Sequence, residues 1–544
     1  MPIVAAAALT AVLAARTCWY LFHSVTNVPY PDQWVMLQEI WRLRTRQTGW
    51  SYLWSLYWGH RPVLPRLLIL LSVKYLRYSA LPFIVTNVAA QACMALVVLS
   101  LVLRLFPKRY SLLFWLSAIA AVNLIFSSLQ MEVLIVGIEI QYTIGYASAL
   151  AAIAIMGSRL RPRFWVSILL GMISSACLAI GPLVWPILIL EAWLARAGVK
   201  YLAVLTAISG IVITGYSIGY TRPNMGMGIA GMLHHPLDAL CVVTLLLGGP
   251  LSFYSRALGM AAGGIGMVVT AGLIAYFWRP RSAKPPAIAH LLAGCFLFGS
   301  VVALAVGRVS TDALVGPGIP PLPSRYAAPA LAFWAVLFPV SLSCWSAGRW
   351  GRLATVGVSA IVLTLTLGTW SWQWRVSREW AMLSERYDAI ASGFILAVSD
   401  QEYMSPIIAD EPYRSRMVEY MRQRGLSVFA EPRGRWVDQN ITAIGPPDKQ
   451  TTCQATVTTA VPPAGDPASL RIRGTLTVDG RPPRRRLDIL MTGSSGTVQG
   501  LARTLPIRSE DAPAEEFLGY ERGISPRDLR LFVFLPGQAV CAAR

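Results

Sequence analysis

Charged residues are scarce in this sequence. They make up 14% of its 544 residues, whereas an ordinary soluble protein carries about a quarter charged residues. Hydrophobic residues make up 55%, and they recur between Ala5 and Trp370 in blocks near the ~20 residues that a helix needs to cross a bilayer core. One such block could be a signal peptide, but a long series of blocks cannot. The sequence therefore predicts an α-helical polytopic membrane protein.

Familiar catalytic motifs are also missing. The sequence contains no GxxxxGK(S/T) phosphate loop, no HExxH and no CxxC. A GxSxG match, GYSIG at 215–219, lies within the predicted helix 199–220 and lacks the strand-to-helix turn that exposes a nucleophile. It therefore gives no support for nucleotide hydrolysis, serine-hydrolase chemistry or zinc-peptidase chemistry. The pair His234 and His235, followed by Asp238, is a weak metal signal. We expect no cofactor and no metal site, with a divalent metal as the less favoured alternative.

The basic residues are concentrated in short loops between the apolar blocks, so the formal net charge of +20 does not require a nucleic-acid partner. The positive-inside rule places these loops in the cytoplasm. They are 104–109, 159–163, 196–200, 279–284 and 349–352. All five basic loops lie on the cytoplasmic side of the membrane only if the apolar stretch 237–253 is a re-entrant or surface helix that does not cross the membrane.

On that count the sequence predicts about 11 transmembrane helices, a cytoplasmic N-terminus and an external segment after Trp372. The predicted helices are 3–23, 81–105, 110–128, 142–157, 164–180, 181–196, 199–220, 257–277, 286–307, 326–346 and 353–372. The outward loops between them are 24–80, 129–141, 221–256 and 308–325.

The sequence changes character after residue 372. Residues 373–450 contain two helical stretches, the second ending at Gly425, and predict a helical connector. Residues 451–544 contain short alternating runs separated by turn residues, which predict a soluble β-sandwich-like domain. Cys453 and Cys541 lie near its two ends and favour a disulfide in an oxidising compartment, with two unrelated buried thiols as the alternative. The predicted domains are 1–372, 373–450 and 451–544.

Polar residues concentrate in the outward loops. Asp32 lies immediately outside the first helix, and the segment that follows has the apolar face of a helix lying on a membrane surface. The same loop contains the basic cluster WGHRPVLPR at 58–66. Arg308 and Arg325 flank the last outward loop, and arginines at a membrane commonly pair with an anion or a carboxylate. A lipid-linked phosphate is one such anion.

Carboxylates beside apolar residues must pair or face a wet cavity, so Glu132, Glu139 and Gln141 could line the same cleft. Each of the other candidates also has a purely structural interpretation. Asp32 could be the N-cap of the amphipathic helix. Arg61 and Arg66 could be anchors for lipid headgroups, and Arg325 could anchor the following helix.

Three motifs together resemble a group of bacterial GT-C-like membrane glycosyltransferases: P-Y-x-D-x-W at 29–34, H-R-x-x-x-P-R at 60–66 and G-R with S-R-Y between 307 and 326. The resemblance covers most of residues 1–372, and the long first outer loop and the external C-terminal domain fit it. Many members of this class carry an acidic pair where this chain has Asp32 and Gln33. Because Gln33 replaces one candidate metal ligand, this difference favours a mechanism without a metal.

The resemblance implies transfer of a sugar from a polyprenyl-phosphate donor to a glycan or glycolipid acceptor at the periplasmic face of a bacterial inner membrane. Asp32 would be the catalytic base of an inverting displacement. The donor phosphate would be bound by cationic and hydroxyl side chains. These are His60, Arg61, Arg308, Arg325 and Tyr326.

Other functions use the same kind of substrate. A transporter or flippase for lipid-linked saccharides would need similar phosphate-binding arginines, but it would tolerate loss of Asp32 and often shows two related halves. We see no such repeat in this sequence. A polymerase or ligase that joins whole saccharide chains is a further alternative, as is an assembly protein whose β-domain binds glycan.

Overall fold

The computed structural model describes residues 2–106, 112–158, 163–221, 228–278, 285–308, 324–345, 369–507, 512–525 and 527–543. It is mostly helical (65%), with a curled antiparallel sheet at the C-terminal end. The chain forms two compact units. The membrane unit comprises Met1–Leu21, Trp50–Leu67 and Phe83–Ser377, and the sheet unit comprises Phe22–Gly49, Leu68–Pro82 and Arg378–Arg544. The two units do not follow the predicted domain boundaries, because two segments of the first outward loop belong to the sheet unit.

The α-helices cover most of the apolar blocks. They are Pro2–His23, Pro31–Arg44, Val63–Tyr75, Leu81–Leu105, Leu112–Ile125, Met131–Ile135, Ile140–Met156, Arg163–Ser175, Val184–Leu194, Val199–Ser217, Gly228–His234, Pro236–Leu247, Gly249–Ser252, Arg256–Phe277, Pro285–Arg308, Ala327–Trp345, Trp370–Leu396, Gln401–Met404, Glu411–Arg424 and Ile441–Ile444. Short 3₁₀ turns are Trp50–Trp54, Ser128–Gln130, Gly137–Glu139, Gly181–Leu183, Ser324–Tyr326, Ser427–Ala430 and Pro432–Arg435.

Seven helical segments of the described residues are long and apolar enough to cross a membrane, so a membrane location is plausible. They are Leu81–Leu105, Leu113–Ile135, Gly137–Met156, Val199–Ser217, Arg256–Phe277, Ala287–Gly307 and Ser324–Cys344. The predicted number of about 11 spans is not confirmed. Arg163–Ser175 and Gly181–Leu194 are apolar but shorter, and most of the predicted helix 353–372 lies outside the described residues.

Burial separates central from peripheral helices in the membrane unit. In the apolar window of Ser324–Cys344, 89% of the residues are buried, whereas the corresponding share in Val199–Ser217 is only 17%. The central helix Ala327–Trp345 packs against Leu112–Ile125 and Pro285–Arg308. The peripheral helix therefore exposes most of its apolar surface, as a helix facing lipid would.

The apolar stretch around 237–253 forms a bent pair. Helices Gly228–His234 and Pro236–Leu247 meet at an angle of 114°. Pro236 is the first residue of the second helix, where its missing N–H removes no intrahelical hydrogen bond. The pair has the geometry of a broken span or a re-entrant loop, so the prediction that this stretch does not cross remains a prediction.

The prediction of an outward loop at 129–141 is wrong. The segments Leu113–Ile135 and Gly137–Met156 are mostly helical, and the chain between 126 and 140 is extended only at Ser127 and Val136. Every residue from 127 to 143 is buried. The polar side chains in this region therefore mark buried partners within the helices rather than a solvent-exposed connection.

The C-terminal strands form one seven-stranded sheet with the order β1-β2-β5-β4-β3-β6-β7. The strands are β1 Cys453–Val461, β2 Ser469–Val478, β3 Asp488–Thr492, β4 Val498–Thr504, β5 Glu515–Arg522, β6 Arg530–Phe534 and β7 Val540–Ala542. All ladder pairings are antiparallel. The described residues thus form one curled sheet where we expected a sandwich of two sheets, because alternation in single strands does not specify how a sheet closes.

The two edge strands of this sheet are joined. Cys453 at the start of β1 and Cys541 in β7 form a disulfide, with 6.2 Å between their Cα atoms. Cys453 also forms a parallel bridge with Ala543. The curled sheet encloses a hydrophobic core that includes Ile472, Ile489 and Phe517. Joining the edges covers the unpaired backbone groups that an open sheet would expose there.

A glycine makes room for the largest of these core side chains. A Cβ added to Gly474 in β2 would lie 2.4 Å from Cζ of Phe517 in β5. A separation under 3.0 Å would force the ring or the strand to move. Elsewhere in the sheet unit, Gly425 ends helix Glu411–Arg424 in the left-handed conformation (φ 58°), as predicted.

We predict that Cys541→Ser lowers the free energy of unfolding of the sheet unit by about 2–4 kcal/mol. The disulfide closes a loop of 88 residues, and removing it increases the conformational freedom of the unfolded chain. Urea unfolding of the full chain in detergent measures the change, with the unfolded fraction of the sheet unit monitored by its susceptibility to proteolysis. Cys93→Ser, at an exposed free cysteine, is the control. Equal unfolding midpoints for the two variants would contradict the prediction.

Candidate functional site

An ion pair lies within the apolar helices of the membrane unit. The Arg325 guanidinium pairs through Nη1 with Oε1 of Glu132, and the backbone N–H of Arg325 donates to Oε2 of the same carboxylate at 3.1 Å. The neighbouring Ser324 hydroxyl donates to the Leu129 carbonyl at 2.7 Å. The 3₁₀ turn Ser324–Tyr326 is thus attached to the helical turn at 129–132 by side-chain and backbone contacts.

Further polar side chains surround this pair. Gln141 Nε2 donates to Glu139 Oε2 at 3.2 Å. Glu139 interacts electrostatically with Arg325 and with the Tyr142 hydroxyl. Tyr326 also interacts electrostatically with Arg325 and with Tyr142. We call this set the polar cluster: Glu132, Glu139, Gln141, Tyr142, Arg325 and Tyr326. Glu132, Glu139, Gln141 and Tyr142 are all buried, while Arg325 and Tyr326 are partly exposed.

The polar cluster combines hydrogen-bond donors with acceptors where the surrounding side chains are apolar. A guanidinium has five N–H groups in a planar arrangement, which suits phosphate or carboxylate oxygens. Among the described residues, the acceptor that the Arg325 guanidinium contacts is Glu132. Ionisable side chains within membrane helices are expensive and are commonly functional. The cluster can hold Arg325 in one orientation and can bind hydroxyl or anionic groups.

Arg61 has a different environment. It is 4% exposed, and its Nε, Nη1 and Nη2 groups donate to the carbonyls of Tyr216, Trp54 and Ile218. Two of these carbonyls lie at the C-terminal end of helix Val199–Ser217, where backbone acceptors have no intrahelical donor. The contacts favour a structural role for Arg61 over the predicted role in phosphate binding.

The neighbours of Arg61 in the motif at 60–66 are also buried. His60 accepts a hydrogen bond at Nδ1 from the Ala179 backbone N–H at 3.2 Å. Arg66 donates to the carbonyls of Tyr52 and Ser55 at 2.7 and 2.6 Å. Arg66 is 3% exposed, so neither arginine faces outward as a headgroup anchor would. These residues hold the loop around Trp50–Trp54 in place.

Asp32 belongs to the sheet unit. It lies in the first turn of helix Pro31–Arg44 and is partly exposed. The N-cap position is occupied by Tyr30, so the interpretation of Asp32 as N-cap is wrong by two residues. A carboxylate in the first turn still interacts favourably with the helix dipole. The Gln33 side-chain oxygen accepts a hydrogen bond from the Tyr30 backbone N–H at 3.1 Å, so this backbone donor at the start of the helix has a partner.

The predicted site residues are thus divided between the units. Within the membrane unit, the structure brings Glu132, Glu139 and Gln141 together with Arg325 and Tyr326. Asp32 lies in the other unit, and the side chain of Arg308 lies outside the described residues. The prediction that all of these residues form one cleft remains a prediction.

Sequence reasoning missed Tyr142, and it gave Ser324 no role of its own although this residue begins the S-R-Y motif. Each is adjacent in the chain to a residue that was predicted, Arg325 or Gln141. Adjacency to a predicted polar residue was the available signal. Among the described residues there is no group of three or more His, Cys, Asp or Glu side chains that could hold a metal ion.

No protein-family model, no curated protein and no solved structure matches this chain. The likeness to GT-C-like glycosyltransferases therefore depends on the sequence alone, that is, on the three motifs and on the predicted arrangement of the first outer loop and the C-terminal domain.

We predict that Glu132 and Arg325 are energetically coupled by about 1–3 kcal/mol, because removing one partner leaves the other charge buried without compensation. The measurement is a double-mutant cycle on thermal unfolding in detergent with Glu132→Gln, Arg325→Gln and the double variant. The two single losses should together exceed the loss in the double variant. Additivity within about 0.5 kcal/mol would mean that the pair contributes nothing.

Proposed function

We propose that this protein is a GT-C-like glycosyltransferase that moves a sugar from a polyprenyl-phosphate donor to a cell-envelope glycan or lipid acceptor. The reaction would take place at the periplasmic face of a bacterial inner membrane. The observation that supports this proposal most is the polar cluster, because an ion pair between buried Glu132 and partly exposed Arg325 among apolar helices is costly and is retained most readily where it binds a polar substrate.

Arg325 would bind the donor phosphate. As the bond between the sugar and the phosphate breaks, the phosphate oxygen takes the bonding electron pair and gains charge. A guanidinium and a tyrosine hydroxyl stabilise that charge by hydrogen bonds that strengthen in the transition state. Arg325 and Tyr326 are adjacent and partly exposed, and Glu132 fixes the guanidinium before the substrate arrives. Glu139 and Gln141 offer acceptors and a donor for sugar hydroxyl groups.

Asp32 would be the catalytic base. The acceptor hydroxyl would give its proton to the Asp32 carboxylate while its oxygen attacks the anomeric carbon, and the phosphate would leave on the opposite side. This single displacement inverts the anomeric configuration and needs no nucleotide sugar. Asp32 is partly exposed, and Tyr30 and Trp34 on either side of it are buried. A base must be accessible to the acceptor and also held in place.

We predict that Asp32→Asn lowers the transfer rate by roughly 10²–10⁴-fold, the range for loss of a general base. The assay uses the purified full chain in liposomes with radiolabelled polyprenyl-phosphate sugars and envelope extract as acceptor. Glu39→Gln is the matched control, because Glu39 is another partly exposed carboxylate on the same helix. The control should transfer at the wild-type rate, and both variants must show wild-type thermal unfolding.

The outcomes separate the candidate functions. Unimpaired transfer by Asp32→Asn would remove Asp32 from the mechanism. No transfer with any donor, combined with movement of lipid-linked saccharide across the liposome membrane, would favour the transporter or flippase. Transfer of whole saccharide chains, but not of single sugars, would favour the polymerase or ligase.

A further inference from the structure

The sheet unit contains a cavity that is not part of the polar cluster. Its volume is about 320 Å³, and it lies between the C-terminal end of helix Trp370–Leu396 and helix Glu411–Arg424. Its apolar wall includes Phe394, Val398, Met404 and Val418, and its charged lining includes Arg414 and Arg422. A water molecule takes up about 30 Å³ of the liquid, so this volume corresponds to about ten water molecules. A molecule about the size of a monosaccharide would fit in that space.

Helix Glu411–Arg424 presents opposite faces to this cavity and to the helix that carries Asp32. Arg414, Val418 and Arg422 recur every four residues and line the cavity. On the other face, the Tyr413 hydroxyl donates to the Trp34 carbonyl at 2.7 Å, and the Arg416 guanidinium lies over the Trp41 ring at 5.6 Å. The cavity is therefore a separate site from Asp32.

Arg414 carries a buried charge with little compensation. It is 3% exposed, and its nearest carboxylate is Glu411 at 3.9 Å, on a side chain that is 41% exposed. Its Nη1 donates to the Ile408 carbonyl at 2.9 Å, and its Nη2 contacts the Ser399 hydroxyl at 3.5 Å. These partners are neutral. The carboxylate of Asp400, which also acts on Arg414, is already bound by Arg471 and by the Tyr520 hydroxyl, each at 2.9 Å.

Arg433 of the same unit shows how a structural arginine is compensated. It is 2% exposed, and it forms ion pairs with Asp388 at 2.5 Å and with Glu431 at 2.7 Å. Burying an ion costs several kcal/mol unless a counter-charge lies close. Arg414 is buried to nearly the same extent but lacks so close a carboxylate among the described residues. Its position beside a cavity suggests that the counter-charge arrives with a ligand.

Other groups around the cavity suit hydroxyls on the same ligand. Glu419 and Ser415 line it from the same helix face as Arg414, and Ser399 lines it from the opposite side. Carboxylate and hydroxyl oxygens accept hydrogen bonds from ligand hydroxyls. Ala397, which also lines the cavity, has the left-handed conformation (φ 57°) because it ends helix Trp370–Leu396. Its N–H and that of Val398 donate to the carbonyls of Phe394 and Gly393.

We propose that this cavity binds a small hydroxylated anion, such as a sugar acid or a sugar phosphate. The anionic group pairs with Arg414, and the hydroxyl groups bind Glu419 and Ser415. The proposal stands on the cavity and on Arg414, and it does not require that the protein transfer a sugar.

The test measures binding to the purified full chain in detergent by equilibrium dialysis. The probes are glucuronate, glucose 6-phosphate, neutral glucose and inorganic phosphate. Ser415→Trp fills the cavity from an exposed position without removing the buried charge, and Arg414→Gln removes the charge. Arg416→Gln, on the opposite face of the same helix, is the matched control. Thermal unfolding verifies that each variant is folded.

We expect saturable binding of glucuronate or glucose 6-phosphate that weakens at least about tenfold in Ser415→Trp and in Arg414→Gln, a loss of ~1.4 kcal/mol. Arg416→Gln should bind as the wild type does. Tighter binding of the sugar phosphate than of inorganic phosphate would assign part of the affinity to the hydroxyl groups. Absence of saturable binding by the wild type, equal binding in folded Ser415→Trp, or glucose binding as tightly as glucuronate would each overturn the proposal.

Discussion

Asp388 is the buried charge on which the sheet unit depends. Its carboxylate contacts Arg433 at 2.5 Å, Arg503 at 2.8 Å and Arg486 at 3.4 Å. Burial on its own would raise the pKa of Asp388, but the three guanidinium groups outweigh it and lower the pKa to about 2. Arg486 also donates to the Val25 carbonyl at 2.6 Å. One carboxylate thus connects helix Trp370–Leu396, the turn Pro432–Arg435, strand β4 and the chain that follows the first helix.

This arrangement gives the C-terminal part of the chain a role in positioning Asp32. Asn27 Nδ2 donates to Glu431 Oε1 at 2.7 Å, and the Tyr30 hydroxyl is hydrogen-bonded to Ser384 at 2.7 Å. Together with the Tyr413 contact described above, these bonds fix the start of helix Pro31–Arg44 to residues 354 to 404 positions later in the chain. The sheet unit therefore holds the helix that carries Asp32, the proposed catalytic base, through these hydrogen bonds.

Periodicity and composition predicted what local sequence determines: apolar helices, short β-strands and the helix end at Gly425. They failed where distant residues decide. Glu132 and Glu139 predicted either a charged partner or a wet cavity, but the sequence could not identify the partner of Glu132, because Arg325 lies almost two hundred residues later in the chain. Arg61 resembled a phosphate ligand because its carbonyl partners cannot be identified from sequence. The single curled sheet was missed because its closure depends on one disulfide and one isolated backbone bridge between residues at the two edges of the sheet.

Hydrogen exchange of the full chain tests most directly whether the sheet unit holds the Asp32 helix. In Asp388→Asn, three arginines lose their shared counter-charge, which we expect to cost about 3–5 kcal/mol. Amides of Pro31–Arg44 should lose protection together with those of β3 and β4, while Ile140–Met156 keeps its protection. Asp466→Asn, at a turn carboxylate of the same unit, should change neither. Unchanged protection of Pro31–Arg44 while β3 and β4 lose theirs would contradict the account.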